Sequence, residues 1–379
     1  MKKRIYLASP HMSGREMDFV QEAFDTNWIA PLGKNVDLFE KEIAQRVDRK
    51  YAAALVSGTA AIHLGLKWLG VGQGDLVFCS SLTFSGSCNS VMYEKAIPVF
   101  IDSEYESWNI SPAALEKAFE WAKKNNKMPK AVITVNLYGQ ACDYDAVCEI
   151  CDRHHTPILE DAAESLGAKY KNRPTGSFGK LSALSFNGNK IITTSGGGML
   201  LSNDENAIKK AKFWATQARD NAPHYLHSEL GYNYRLSNVC AGIGRGQLTA
   251  LEERVAQKKA IYDRYKEAFK DIDDIEMMPV PKWSQPNFWL SCMTLKETSK
   301  VKPMDIINKL AENNVEARPI WKPMHTQPYY SEFEFFTSKN DGELSIGEDI
   351  FNRGLCLPSD TKMTTEELNY VIGLVKELF

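Results

Sequence analysis

Short apolar runs alternate along much of the chain with segments whose apolar positions recur at helical spacing. Ala53 to Val56 is one such run; it ends at Ser57-Gly58-Thr59, after which Ile62, Leu66 and Leu69 follow a helical period. Further runs typical of buried strands are Leu76–Cys79, Pro98–Ile101, Lys130–Val135, Pro157–Leu159, Ala183–Phe186 and Gly198–Leu201. This alternation predicts an α/β fold with a large, mostly parallel sheet and helices on both faces.

The pattern changes after a long helix-like stretch from Ala241 to Phe269, because the segment Glu276 to Pro286 is rich in proline and polar residues. The elements expected beyond it are a strand-like run at Phe288–Leu295, a helix at Pro303–Asn313 and a final helix at Thr365–Leu378. We therefore predict a large domain at residues 1–250, which includes the N-terminal segment, and a smaller C-terminal α+β domain at 251–379.

Composition and charge narrow the class of partner. Of the 379 residues, 44% are hydrophobic and 25% are charged, and the formal net charge is −3, as expected of a soluble globular protein. No charge excess favours nucleic acid or an anionic membrane, and no segment approaches the roughly 20 apolar residues of a membrane helix. The basic start, MKKRIYLASP, precedes no apolar run of signal-peptide length, so we expect a cytoplasmic protein with a small-molecule partner.

The cysteines raise the question of a metal site. Eight cysteines in a chain of this length do not indicate a disulfide scaffold. Cys148 and Cys151 have the spacing of zinc ligands, with His154 and His155 nearby, but no second ligand cluster stands at a recognisable spacing. The segment from Asp143 to Arg153 instead has a helical pattern. We predict packing cysteines rather than a metal or redox site.

The turn Ser57-Gly58-Thr59 follows a predicted strand and opens a predicted helix. A helix that begins directly after a glycine turn presents unpaired backbone amides to an anion, and the Thr59 hydroxyl adds a donor. Many strand-to-helix turns have this composition without binding phosphate, so the motif alone leaves both interpretations open.

Two charged residues stand just beyond predicted strands. Asp161 follows the apolar run that ends at Leu159, where a buried carboxylate needs a positive partner such as a protonated pyridine nitrogen. A helix cap or a structural salt bridge is the alternative. Lys190 ends the segment Ser185-Phe186-Asn187-Gly188-Asn189-Lys190 and could form a Schiff base if its amine loses its proton, although most lysines are simply solvated.

Phe84 completes the set of candidate residues. It follows the predicted strand Leu76–Cys79, where its ring could stack on a planar cofactor or pack in the core. Each of the four features has an ordinary structural explanation. Their order along the chain, an anion cradle, a stacking aromatic, an acid at a strand end and then a lysine, favours a pyridoxal-phosphate site.

The same segments resemble the DegT-type sugar aminotransferases, a branch of the fold type I pyridoxal-phosphate enzymes, and the resemblance runs nearly end to end. The matching segments are Ser57-Gly58-Thr59-Ala60-Ala61, Glu160-Asp161-Ala162-Ala163-Glu164, Ser185-Phe186-Asn187-Gly188-Asn189-Lys190 and Gly231-Tyr232-Asn233-Tyr234-Arg235. The resemblance implies a fold type I transferase with pyridoxal 5'-phosphate, in which Lys190 holds the cofactor, Asp161 pairs with its pyridine nitrogen and Phe84 stacks on its ring.

The resemblance also assigns the remaining cofactor contacts. Gly58, Thr59 and Ser185 would hold the phosphate, and Glu164 would lie beside the cofactor's phenolic oxygen. An asparagine at the position of Asn233 reaches the phosphate bound by the neighbouring subunit in this family, which implies a homodimer with shared active sites.

Within the family, the chain looks closest to the exopolysaccharide and glycan-biosynthesis members that aminate UDP-4-keto-6-deoxy-N-acetylglucosamine to a bacillosamine precursor. The stretches Trp28–Pro31 and Arg318–His325 carry this likeness. We expect Trp28, Arg318 and His325 to contact the sugar nucleotide, since clefts at domain junctions favour ligands. Surface ion pairing for Arg318 and packing for His325 are the alternatives.

The implied reaction moves an amino group from L-glutamate to the UDP-linked keto sugar. Two alternatives differ in class: a sugar dehydratase that uses the same cofactor, and a DegT-like regulatory protein that only binds. Relatives that dehydrate sugars replace the lysine by histidine, so Lys190 favours amino transfer.

Overall fold

Helices and strands alternate from Tyr51 to Asp161 in the computed structural model, which describes residues 3–340 and 342–379. The helices are α1 (Glu16–Asp25), α2 (Lys34–Arg46), α3 (Gly58–Trp68), α4 (Ser85–Tyr93), α5 (Pro112–Lys124), α6 (Tyr144–Arg153), α7 (Glu205–Ala215), α8 (Asn238–Leu248), α9 (Leu251–Phe269), α10 (Pro303–Glu312), α11 (Ile346–Arg353) and α12 (Thr365–Lys376). The strands are β1 (Tyr51–Leu55), β2 (Leu76–Ser80), β3 (Ile97–Ile101), β4 (Ala131–Val135), β5 (Ile158–Asp161), β6 (Lys169–Tyr170), β7 (Arg173–Pro174), β8 (Leu181–Ser185), β9 (Gly198–Ser202), β10 (Ile275–Met277), β11 (Ser284–Gln285), β12 (Ser291–Leu295), β13 (Arg318–Pro319), β14 (Phe335–Phe336) and β15 (Gly354–Leu357).

The large sheet has the strand order β1-β9-β8-β5-β4-β2-β3-β14. The strands from β8 to β14 in this order are parallel to one another, whereas β9 is antiparallel to both of its neighbours, β1 and β8. The strands are buried on both faces, which explains why they read as continuous apolar runs rather than alternating ones. The predicted α/β class with a large, mostly parallel sheet is confirmed.

Helices cover both faces of this sheet. On β1, Ala53 and Leu55 pack in the apolar cluster that includes α3, α4 and α7, whereas Ala52 and Ala54 point to the opposite face, where α2 and α8 pack. Further along the second face, α5 and α6 pack against the sheet around Phe78. Successive strand residues point to opposite faces, so each strand joins two cores.

The stretch predicted as one long helix from Ala241 is divided in the structure into α8 and α9, with Thr249 and Ala250 between them. Thr249 Oγ1 donates a hydrogen bond to the carbonyl of Gly246, 2.6 Å away. The backbone of Gly246 also lies so close to Glu16 that a Cβ at position 246 would stand 2.6 Å from the Cα of Glu16. The close contact with α1 depends on tertiary packing, which helical periodicity does not report.

A second, antiparallel sheet has the order β10-β12-β15-β13 and packs with α9, α10 and α12. Two connections cross the predicted division between residues 250 and 251. Ile5 pairs with Val315 next to this small sheet, and β14 lies on the edge of the large one. The division at residue 250 stays a prediction.

Among the described residues, no helix combines the length and the apolar character needed to cross a bilayer. Cys148 and Cys151 lie on α6, where Cys151 is buried in the cluster around α5 and α6 and Cys148 packs at its edge. Within the same described ranges, no three His, Cys, Asp or Glu side chains are grouped so that they could hold a metal ion.

The buried carboxylate of Asp102 connects the end of β3 to the C-terminal part of the chain. It accepts hydrogen bonds from the N–H groups of Ile346 (3.0 Å) and Gly347 (2.9 Å) at the start of α11, and from Thr337 Oγ1 (2.7 Å).

We expect Asp102→Ala to lower the free energy of unfolding by about 2–4 kcal/mol, because three buried donors lose their acceptor. Urea unfolding measures this change, with the exposed Asp271→Ala as control. An unchanged urea midpoint for Asp102→Ala would contradict the expectation.

Candidate active site

Seven strands run in one direction and end at one edge of the large sheet, and five of them lead into the candidate site. These five are β1, β8, β5, β4 and β2, and the residues that follow them carry most of the predicted cofactor contacts. Ligands of such sheets bind beyond the carboxyl ends of the strands. The antiparallel β9 instead begins at this edge, and the loop between β8 and β9 contains Lys190.

Lys190 is mostly buried, with 11% of its side chain exposed. Its Nζ lies 3.5 Å from Oε1 of Glu164 and 4.0 Å from the centre of the Trp289 ring. The backbone N–H of Lys190 donates to the carbonyl of Asn187 (3.0 Å), which makes a tight turn before the lysine. The amine is therefore held between a carboxylate and an aromatic face rather than solvated.

Asp161 is the last residue of β5, and its carboxylate is buried. It accepts a hydrogen bond from Ser87 Oγ (2.7 Å) on α4 and another from the N–H of Ala163 (3.1 Å). Burial raises the pKa of Asp161, while these two bonds and the charge of Lys190 partly oppose that rise. No described cationic side chain forms an ion pair with this carboxylate, and a protonated ring nitrogen could supply that partner.

The neighbouring acid, Glu160, points to the opposite face of β5 and has a different environment. It accepts hydrogen bonds from Asn136 Nδ2 (2.9 Å) and from the N–H groups of Gly176 (2.6 Å) and Phe178 (2.9 Å). Its oxygens are therefore engaged within the fold. Of the two consecutive acids, Asp161 is therefore the one that still needs a positive partner.

Glu164 brings a second buried carboxylate next to Lys190. Its Oε2 accepts the N–H of Tyr138 at 2.7 Å. Burial raises the pKa of Glu164 to about 7, although the charge of Lys190 lowers it, and the neighbouring Asp161 raises it further. This buried cluster contains two acids and one amine, so one more positive charge would balance its charge.

The predicted phosphate contacts lie together at the start of α3. Ser57 caps this helix by accepting the N–H of Ala60 (3.0 Å), which leaves the first amides of the helix for another acceptor. A Cβ at Gly58 would lie 3.1 Å from Cβ of Ser185, and a Cβ at Gly86 would lie 2.8 Å from Oγ1 of Thr59. Gly58, Thr59 and Ser185 thus line one small region into which backbone amides and hydroxyls can project.

Phe84 immediately precedes α4, and 57% of its side chain is exposed. Its ring centre lies 5.7 Å from that of Trp321, and one turn further along the chain Ser87 bonds Asp161. A Cβ at Gly86 would stand 3.3 Å from the Phe84 ring, in the same space that adjoins Thr59. The start of α4 therefore places an exposed aromatic ring near both the Asp161 carboxylate and the start of α3.

The two residues expected to act toward a neighbouring subunit or the substrate are on the surface. Asn233 is exposed and pairs through its backbone with Thr216. Trp28 is exposed, and its carbonyl accepts a bond from Asn238 Nδ2 (2.7 Å) beside a cavity of about 720 Å³. No described contact joins either residue to Lys190, so their roles stay predictions.

The other two predicted substrate contacts bind to the protein itself. Arg318 is exposed and pairs with Glu316, with Nη2 and Oε1 2.8 Å apart. His325 is mostly buried, bonds Ser81 Oγ through Nδ1 (2.7 Å) and stacks on Phe335 at 3.6 Å between ring centres. Burial lowers the pKa of His325. These positions match the ion-pairing and packing alternatives, and substrate contact by either residue stays a prediction.

Three residues of the site were not found from the sequence. Ser87 donates to Asp161, Tyr138 donates its N–H to Glu164, and Trp289 lies against the amine of Lys190. The position of Ser87, three residues after Phe84 at the start of a helix, offered a signal. Tyr138 and Trp289 come from distant segments, and only the tertiary fold brings them to the site.

The donor set fits pyridoxal phosphate. A buried acid could pair with a protonated ring nitrogen, a buried amine could combine with an aldehyde, an exposed aromatic ring could stack on a planar ring, and a helix start with hydroxyls could bind a phosphate. The cluster of Asp161, Glu164 and Lys190 also carries one excess negative charge when both acids are ionised, which a cationic ring would offset.

Comparison with known proteins gives matches over nearly the whole chain. A model of the DegT/DnrJ/EryC1/StrS aminotransferase family matches residues 10–376. EpsN of Bacillus subtilis (strain 168), whose name assigns it provisionally to the pyridoxal phosphate-dependent aminotransferases, is 54% identical over 379 residues, which cover 100% of this chain and 97% of EpsN. GDP-perosamine synthase of Escherichia coli O157:H7 is 33% identical over 377 residues, which cover 100% of this chain and 99% of that protein.

Among solved structures, the fold is similar to that of a DegT DnrJ EryC1 StrS aminotransferase from Brucella abortus. The TM-score is 0.88 with 26% sequence identity, and the match covers 96% of this chain and 95% of that chain. The similarity therefore extends over the large sheet and the small antiparallel sheet of the C-terminal part.

The raised pKa of Glu164 predicts a pH-dependent stability. An unfolded glutamate loses its proton near pH 4.5, whereas folded Glu164 retains it up to about 7, so stability falls between these values as pH rises and is level above them. In protein freed of bound cofactor, we expect Glu164→Gln to be more stable than the wild type at about pH 8, by on the order of 2–3 kcal/mol, with little advantage at about pH 4.5.

Thermal unfolding at the two pH values measures this difference. Glu312→Gln, on the exposed side of α10, is the matched control and should change stability equally little at both. A stability difference between Glu164→Gln and wild type that is the same at both pH values would show that Glu164 does not carry the raised pKa.

Proposed function

Because the chain belongs to the DegT/DnrJ/EryC1/StrS aminotransferase family, as its motifs predicted, we propose that it transfers the amino group of L-glutamate to carbon 4 of UDP-4-keto-6-deoxy-N-acetylglucosamine. Membership makes the protein a sugar aminotransferase that uses pyridoxal phosphate. The donor, the nucleotide and the carbon that receives the amine are the parts that we propose.

The observation that carries the proposal is the placement of Lys190. Its amine lies 3.5 Å from Glu164 and against the Trp289 ring, at the same sheet edge as the buried Asp161. An amine at this position is what amino transfer requires and what a dehydratase with histidine at position 190 would lack. The lysine therefore favours amino transfer over both dehydration and a purely binding role.

The residues that would hold the cofactor are those that the family resemblance implies, and their environment supports these roles. Gly58 and Thr59 at the start of α3, together with Ser185, would bind the phosphate, and Asp161 would pair with the ring nitrogen. Phe84 would cover one face of the ring, with Glu164 beside the phenolic oxygen. When bound, pyridoxal phosphate supplies an aldehyde that combines with amines and a ring that withdraws electrons.

Lys190 would move the protons of the reaction. Once its amine is free and unprotonated, Nζ removes the proton from the α carbon of glutamate, and in the second half of the cycle it delivers a proton to the sugar carbon that becomes aminated. Glu164 keeps the amine in reach of these carbons by its contact with Nζ. Asp161, whose carboxylate is fixed by Ser87 and Ala163, would keep the ring nitrogen protonated.

The nucleotide is the least constrained part of the substrate. The resemblance of the sequence to exopolysaccharide and glycan-biosynthesis aminotransferases that act on a UDP-linked keto sugar supports UDP. A relative at 33% identity is named for a GDP-linked sugar, so a GDP-linked keto sugar is the alternative substrate. The choice must be tested directly.

The first test offers the purified protein pyridoxal phosphate, L-glutamate and a panel of UDP-, GDP- and dTDP-linked 4-keto-6-deoxy sugars. We expect mass spectrometry to show that the UDP-N-acetyl sugar gains an amine in place of its keto oxygen, with 2-oxoglutarate formed in equal amount. Preference for a GDP sugar would reject the nucleotide, whereas a deoxygenated product without glutamate consumption would indicate a dehydratase.

The second test concerns the amine itself. Lys190→Ala should reduce turnover to below about one-thousandth of the wild-type rate, because the variant has no amine to move the proton. Lys190→Arg, which keeps the positive charge beside Glu164 but cannot act as the base, should be equally inactive. Turnover near wild type in either variant would reject Lys190 as the reacting residue.

We also propose that two chains share their active sites, with Asn233 of each reaching the cofactor of the other. The exposure of Asn233 supports this, since its side chain is available to a second chain. Asn233→Ala and Lys190→Ala should each have little activity alone, but mixing them in equal amounts and allowing chains to exchange should restore about a quarter of wild-type activity, because half of the dimers then contain one complete site.

The restored activity in the mixture separates the two possible arrangements. Size-exclusion chromatography first establishes that each variant is dimeric. A mixture no more active than the sum of its parts would show that Asn233 serves the site of its own chain.

A further inference from the structure

Trp289 contacts Lys190 in two ways, although it lies outside the motifs on which the cofactor assignment rests. The face of its ring lies 4.0 Å from Nζ of Lys190. Its indole Nε1 donates a hydrogen bond to the carbonyl of Asn189 at 2.7 Å. One buried side chain thus contacts both the amine and the backbone directly before it.

The backbone of Trp289 is itself fixed on both sides. Its N–H donates to Oδ1 of Asn287 (2.9 Å), and its carbonyl accepts Nζ of Lys258 (3.0 Å) on α9. Phe288, between Asn287 and Trp289, has a positive φ of 54°, which is uncommon for an aromatic residue and persists only where neighbouring contacts hold it. These bonds determine where the indole ring stands.

Asn287 connects this segment to the rest of the site. Its Nδ2 donates to the carbonyls of Glu164 (2.8 Å) and Leu166 (2.9 Å), and its N–H donates to the carbonyl of Gly139 (3.1 Å). Gly139 has φ +93°, and a Cβ there would overlap Oδ1 of Asn287, at 1.8 Å. The segment that supports Trp289 is therefore packed against the loop after β5 and the turn after β4.

Lys258 is an unusual support because its ammonium is buried. Its second contact is the carbonyl of Ser359, 2.5 Å from Nζ. Burial lowers the pKa of Lys258 to about 8, while Asp360 opposes this decrease. A buried amine that bonds two backbone carbonyls links α9, the chain before β12 and the chain after β15 at one point.

We propose that Trp289 is a positioning residue for Lys190: its ring limits the movement of the amine, and its indole N–H fixes the loop from which the amine projects. The inference rests on Lys190 being the reacting amine. Trp289 stands on the connection that leads into β12 of the small sheet, so it transmits the position of that sheet to the amine. Phenylalanine would provide a ring but no N–H, and leucine would provide neither.

The test compares Trp289→Phe, Trp289→Leu and wild type by amide hydrogen exchange in the full-length protein as purified. The segment 186–197 contains the bonds from the N–H of Lys190 to Asn187 and from the N–H of Thr194 to Phe186. We expect exchange in this segment to be about tenfold faster in Trp289→Leu and about threefold faster in Trp289→Phe, since each lost contact raises the open population.

Trp283→Phe is the matched control. Trp283 lies in the same connecting segment but packs against Tyr170, with 5.2 Å between ring centres, away from Lys190. This variant should leave exchange at 186–197 unchanged. Equal acceleration in Trp283→Phe would mean that the segment loosens generally, and unchanged exchange in both Trp289 variants would mean that Trp289 does not hold the loop; either result overturns the proposal.

Kinetics provide a second measurement. With the best sugar of the panel, kcat per folded molecule should fall about tenfold or more in Trp289→Leu and less in Trp289→Phe, with KM for the sugar within about twofold of wild type. A role confined to folding would lower the folded fraction but leave kcat per folded molecule unchanged, which would also overturn the proposal. Failure of the keto-sugar panel with wild-type protein is a separate result, because hydrogen exchange requires no substrate.

If Trp289→Leu does not fold, the variant Lys258→Met tests the same proposal. Methionine fills a similar volume but cannot donate to the carbonyl of Trp289. We expect faster exchange both at 286–290 and at 186–197. Acceleration at 286–290 alone would show that the two segments are not connected through Trp289, and the proposal would be wrong.

Discussion

The structure depends on placing three charged groups out of water at one edge of a sheet. Asp161 and Glu164 are both buried, and the amine of Lys190 is the positive charge between them. An isolated charge in such a place would cost several kcal/mol, so each group needs fixed partners. Ser87, Ala163 and Tyr138 provide donors to the two acids, and the Trp289 ring provides a face to the amine.

These partners meet at one edge of the sheet because the segments that contain them lie outside its strands rather than within them. β5 ends at Asp161 and β8 at Ser185, and after each of them the chain leaves the sheet at the edge where ligands of such sheets bind. The start of α4 brings Phe84 and Ser87 to the same edge, one turn apart. The same short stretch therefore contributes a ring for the cofactor and a donor for the acid that would hold the ring nitrogen.

Features that depend on local sequence pattern could be predicted from the sequence, whereas features that depend on tertiary contacts could not. The strands β1 to β5, β8 and β9 appeared as apolar runs because they are largely buried on both faces, and the acid and the lysine appeared because they follow such runs. The two-residue β14 and the break between α8 and α9 did not appear, since both depend on contacts with distant chain. Trp289 lies a hundred residues from Asn189, to which it donates, and no spacing rule connects them.

The raised pKa of the buried Glu164 carboxyl indicates that the site is arranged for chemistry rather than for stability. A carboxyl whose pKa is about 7 is half protonated near neutral pH, so its folded state bears a cost that an ordinary surface glutamate does not. Such a group beside an amine can change its charge as the amine gains and loses a proton, which keeps the pair from becoming a fixed ion pair. A neutral residue at position 164 would relieve the cost but would leave Lys190 with the more distant charge of Asp161 as its counterpart. The raised pKa of Glu164 therefore reflects its burial at the site of the reacting amine, and the charge of Lys190 and the hydrogen bond from the N–H of Tyr138 partly offset the resulting loss of stability.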